Sequence, residues 1–167
     1  MKKIVFIFLA LLAIVFGLNA QNTKSNASAK LVTIDVKDFD SKASGFVDKE
    51  IYITGTCDHV CKHAGRKLHL VGANDSKVEV MATEVIGKFP KELEGEDLKI
   101  RGTVVEERID EEYLKEWEAE VKQHHAEGTE SCENNMAEIK KMRDQMKKNK
   151  LGYVPIYSVE GISFEKL

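Results

Sequence analysis

The chain is short of proline, of cysteine and of net positive charge, and each shortage excludes something. Two prolines, Pro90 and Pro155, leave no proline-rich linker or polyproline binding segment in 167 residues. Three cysteines, Cys57, Cys61 and Cys132, are too few for a disulfide-built scaffold, and an odd number leaves one free, metal-bound or paired between chains. Lys and Arg number 25 against 28 Asp and Glu, which argues against a nucleic-acid surface, where counterion release rewards a basic stripe. No nucleophile elbow, phosphate loop, zinc-protease helix or dinucleotide fingerprint is present. Adjacent acids such as Glu106 and Glu107 point to opposite faces of a strand and make a poor catalytic pair. These absences favour a binding role over catalysis.

Long apolar runs are also missing, with one exception at the start. Lys2 and Lys3 precede the unbroken apolar run Ile4–Phe16, and Leu18-Asn19-Ala20 ends in a small residue. That order is a signal peptide cleaved after Ala20, giving an exported protein, periplasmic or secreted, that begins at Gln21. The run is short of the ~20 residues of a membrane span. No basic stop-transfer cluster follows it and no Cys sits at the cleavage point, so no stable membrane anchor is expected after cleavage. Cleavage leaves 147 of the 167 residues, enough for one domain with a core, and loss of two lysines takes the formal charge from −3 to −5. Residues 21–30, rich in Asn, Ser, Ala and Lys, read as a flexible spacer, and 31–167 as the domain.

Within the domain, Leu31–Val36 alternates as a short leading strand, and Asp38–Asp48 has roughly helical spacing. Glu50–Thr56, Lys67–Val71, Lys77–Met81 and Leu98–Val105 alternate apolar with polar residues, bounded by turn residues. A last strand, Ile156–Phe164, follows a long interruption. That interruption, Asp110–Lys150, reads as an antiparallel helical hairpin. Asp110, Glu111 and Glu112 suit the N-terminus of its first helix, and Tyr113, Leu114, Trp117 and Val121 make its apolar stripe. Gly128 suits the stop, with Thr129 or Ser131 as the next cap. Cys132, Met136, Ile139, Met142 and Met146 make the second stripe. Both stripes are expected to bury against each other or the sheet, with Trp117 in the core.

Four strands, a helical insertion and a closing strand predict a mainly β fold, a five-stranded OB-fold-like barrel with a helical hairpin between its fourth and last strands. Several segments resemble exported bacterial OB-fold domains related to the tRNA-anticodon-binding-like class. They are the Gly55 strand entering Cys57-Asp58-His59-Val60-Cys61-Lys62-His63, the Gly65-Arg66-Lys67 turn, and Glu92-Leu93-Glu94-Gly95 before the Leu98 strand. The resemblance covers roughly Leu31–Ile109 and the last strand. It implies a fold and a binding role but no substrate, and the nucleic acid in the class name does not suit an acidic exported chain.

Chemistry concentrates in one segment. Cys57, His59, Cys61 and His63 fall on every second residue, and strict alternation on a strand places all four on one side. Thiolate and imidazole are the ligands of zinc and copper, so these four residues are the candidate metal donors. Cys132 is a fifth if the hairpin folds back, and His69 on the opposing arm can approach. Full extension sets Cys57 and Cys61 ~13 Å apart at Cα, which one metal ion cannot span. A disulfide needs ~7 Å or less, so either bond requires a bend near Asp58 or His59. His124 and His125 gather with Cys132 at the hairpin tip, where imidazoles also serve as partners of the helix dipole. Lys62, Arg66 and Lys67 make the first β-hairpin basic, a place for an anionic ligand or an exported protein partner. The alternative to metal binding is a structural or protein-interaction module whose cysteines are oxidised or simply packed.

Overall fold

The computed structural model describes residues 31–62, 64–124 and 130–167, and only the backbone of His124, Glu130 and Ser131. The leader, the spacer, His63, His125, Gly128 and Thr129 lie outside the described residues. Residues 31–167 make one compact unit.

The alternating segments are strands, and several run further than the alternation does. They are β1 (Thr33–Asp35), β2 (Glu50–Val60), β3 (Lys67–Val71), β4 (Lys77–Ala82), β5 (Asp97–Asp110) and β6 (Tyr153–Lys166). The leading strand stops before Val36 because Asp35 caps a helix, its Oδ1 accepting the Lys37 amide at 3.0 Å. That helix, α1 (Val36–Lys42), begins two residues before the expected segment and tightens into a single 3-10 turn over Ala43–Gly45.

β2, β3, β4, β6 and β5 close in that order into a mixed barrel, antiparallel at every seam except β4–β6. This is the OB-fold-like barrel expected, with β1 added as a sixth strand, parallel to β2. β2 changes neighbour midway: β1 runs along Tyr52–Thr54, and β3 takes over from Thr56. Gly55 makes that exchange possible. A Cβ there would stand 2.6 Å from the Val36 side chain and 3.0 Å from the Val71 carbonyl oxygen, so only glycine admits the start of α1. Ile34, Phe39, Ile51, Ile53, Leu68, Leu70, Leu98 and Ile100 fill the interior. Each such side chain contributes roughly 1.5–3 kcal/mol of hydrophobic burial.

β5 and β6 continue past the barrel. Val105–Asp110 and Tyr153–Ser158 pair with each other and form a two-stranded arm. The hairpin helices α2 (Glu111–His124) and α3 (Glu130–Asn149) grow from its end. Asp110 Oδ1 accepts the Tyr113 amide at 2.9 Å, capping α2 as its acidic start foretold. Leu114, Ile139 and Met146 form a second small core with Ile109 and Val154 of the arm. Cys132, Ile139 and Met146, seven residues apart, are all buried, the repeat of a coiled-coil seam. Arg143 clamps α2 to α3, its Nε 3.1 Å from Glu111 Oε1 and its Nη1 2.8 Å from Glu118 Oε2. Leu114 of the first stripe and Ile139 and Met146 of the second therefore bury with the arm. Tyr113, expected in the first stripe, is exposed, because its position turns it away from this core. Trp117, expected in the core, is only partly buried against it, as are Met136 and Met142.

Candidate functional site

The bend in the Cys/His segment is a β-bulge at Asp58. Cys57 pairs with Leu70 and His59 with the next residue back, His69, so Asp58 is the extra residue on β2. One extra residue reverses the side-chain phase. Cys57 points into the barrel core with no exposed surface, Asp58 and His59 face outward, and Val60 points in again. The expectation that Cys57 and His59 share a face is therefore corrected: the bulge puts them on opposite sides of the sheet.

Burial also sets the chemistry of Cys57. Loss of water around the sulfur, reinforced by the charges of Glu94 and Asp58, pushes its pKa up to about 11. It is a protonated, apolar core residue at neutral pH. Cys132 is buried on α3, and among the described residues the barrel core that holds Cys57 includes none from either hairpin helix. Among the described residues, no three His, Cys, Asp or Glu side chains form a cluster able to hold a metal ion. Cys57, Cys61 and Cys132 are thus not assembled as a sulfur site, and His63 and His125 lie outside the described residues.

The outer face of β2 and β3 does bring donors together. His59 stands directly opposite His69, their rings nearly parallel with centroids 6.4 Å apart. The Cys61 amide donates to the Lys67 carbonyl at 2.9 Å, which extends the ladder one rung and sets Cys61, half-buried, two places beyond His59. His69 is held neutral to a lower pH than an ordinary histidine, first by desolvation and then by the nearby Lys77 charge. The surrounding charges are spoken for in part: Lys77 reaches Asp58 at 3.1 Å and Lys67 reaches Glu79 at 3.0 Å. Lys62 and Arg66 are exposed on the turn between β2 and β3. Gly65 ties that turn down, its amide bonded to the Cys61 carbonyl and its carbonyl to the Phe89 amide.

Glu94 is a member of this face that the local pattern does not announce. Its Oε1 lies 3.3 Å from His59 Nδ1 and accepts the Val60 amide at 3.0 Å. His59 and Glu94 are 35 positions apart in the chain. The one local clue is the Glu94-Gly95 pair, where Gly95 at φ +87° turns the chain back toward β5.

No protein-family model and no curated protein matches the chain. Among solved structures, it is similar to a putative aspartyl-tRNA synthetase from Leishmania major Friedlin, at 12% identity and a TM-score of 0.41. The match covers 86% of this chain and 22% of that one. A likeness so slight carries no functional weight, and the reading rests on the residues themselves.

Proposed function

We propose that this chain is an exported binding protein, not an enzyme, which takes a transition-metal ion, zinc or copper, on the outer face of β2 and β3. His59 and His69 are the ligands, with Cys61 as the nearby thiol. Export rests on the leader pattern of residues 1–20, and the binding role agrees with the resemblance to exported OB-fold domains. The observation that carries the metal reading is the His59–His69 pair, two imidazoles opposed across adjacent strands on a solvent-facing surface. Imidazole suits zinc and copper, and the neutral ring is the ligand form. The downward shift of His69 keeps it in that form.

Calorimetric titration of the reduced protein with zinc and with copper tests the proposal. One ion per chain is expected, with at least a tenfold loss of affinity in His59→Gln and in His69→Gln. Affinity should fall as pH drops, because protons compete for both rings. Cys57→Ser should bind like wild type, since Cys57 faces the core. Failure of the wild type to bind either ion, or unchanged affinity in both histidine variants, removes the metal reading. The burial of Cys57 then favours the other reading, a protein-interaction module with packed cysteines, in which exposed Lys62 and Arg66 meet an exported partner.

A further inference from the structure

Past Thr56, β2 has lost its β5 neighbour, and its outward backbone groups need other partners. The loop before β5 supplies them. The Cys57 amide donates to the Glu96 carbonyl at 2.9 Å, and the Gly95 amide donates to the Cys57 carbonyl at 2.7 Å. The next rung on that side, the Val60 amide, is met by a side chain, the carboxylate of Glu94. Leu93, 2% exposed, anchors the same loop in the barrel core. Glu94 is therefore fixed by backbone on both sides, and the oxygen that closes the edge of β2 is the one that faces His59 Nδ1.

We infer that Glu94 is a positioning residue of the proposed metal face: its carboxylate holds His59 as the Nδ1–H tautomer, so that Nε2 is the ligand atom. The inference rests on the metal reading for its second half, while the tautomer belongs to the metal-free protein. One carboxylate oxygen of Glu94 both accepts the Val60 amide at 3.0 Å and lies 3.3 Å from His59 Nδ1, so the backbone bond fixes the acceptor beside that ring nitrogen. A carboxylate beside one ring nitrogen favours the proton there and leaves the lone pair on the other, which also becomes the better donor. Among the described residues, His69 makes no ion pair of this kind. Glu79, opposite it on β4, is engaged by Lys67.

Long-range proton–nitrogen NMR of the metal-free protein, read beside zinc and copper titrations, tests this in wild type, Glu94→Gln and Glu94→Ala. The wild type should show His59 protonated at Nδ1. Glu94→Gln keeps an acceptor for the Val60 amide but not the charge. It should weaken the tautomer preference and lower metal affinity about 10–100-fold, with the fold intact. Glu94→Ala should also lose amide-exchange protection at Val60. If Glu94→Gln matches wild type in tautomer and affinity, Glu94 only caps β2 and the inference is wrong. If wild-type His59 is protonated at Nε2, the inference fails while the titration still judges the metal reading. A wild type that binds no ion overturns the metal reading and the ligand half of the inference, whatever the tautomer.

Discussion

Cys57 and Cys61 are four residues apart and chemically unalike, because the first is buried in the barrel core while the second, past the bulge, is half-buried. Alkylation of the native protein at pH 8 should modify Cys61 and spare Cys57, which should react only in denaturant; mass spectrometry of the digested protein reads both. Cys57→Ser, which places a hydroxyl beside the His59 amide in an otherwise apolar core, should cost about 1–3 kcal/mol. Cys57 also makes stability depend on alkaline pH. The unfolded thiol releases its proton near 9.0 and the folded one at about 11, so the unfolded state gains from rising pH first. Stability is full below 9.0 and is lost as pH climbs toward about 11. Urea midpoints across that range should fall more steeply in wild type than in Cys57→Ala, and parallel slopes would contradict the assigned burial.

At the scale of elements, the hairpin was legible because its stripes are long and periodic, and the four short strands because they alternate. The arm was not. Glu106 and Glu107 interrupt the alternation of β5, and Pro155 stands inside β6, yet both strands run on because each is the other's partner there. Pro155 is tolerated at this edge, opposite Arg108, whose guanidinium lies 4.7 Å from the Tyr153 ring centre and whose Nε bonds Glu106 at 2.6 Å. The α2–α3 packing is narrow, and Trp117 covers its edge. Trp117→Ala should cost about 2–3 kcal/mol, less than the ~3–5 kcal/mol of a fully buried tryptophan. A urea midpoint unchanged by the substitution would make Trp117 a surface contact residue instead.

Among the described residues, one apolar core lies inside the barrel and another between the hairpin and the end of the arm. Asp110 and Tyr153 are direct partners where the hairpin departs. Replacing residues 111–152 with an Asn-Gly turn should therefore close β5 onto β6 without disturbing the barrel. The shortened chain should keep a cooperative β-type unfolding transition and, under the proposed metal reading, bind zinc or copper as the full chain does. Loss of folding would show that the hairpin core stabilises the barrel, and loss of metal binding alone would place a donor on the hairpin.

The sequence by itself determined most of the strand segments, the helical insertion, the barrel class and the Cys/His-rich segment, because each depends on local periodicity and residue chemistry. It also limited Cys57 and Cys61, since extended geometry forbids both a disulfide and a shared ion without a bend. Only the tertiary structure decided which donors meet. A single bulged residue inverts every side chain beyond it, and whether a strand bulges depends on the register its partner imposes. His69 faces His59 because β3 pairs one residue out of step after Cys57, and Glu94 joins them because the edge left by β5 needs a partner for the Val60 amide. Those are properties of closure, and no stretch of the chain contains them.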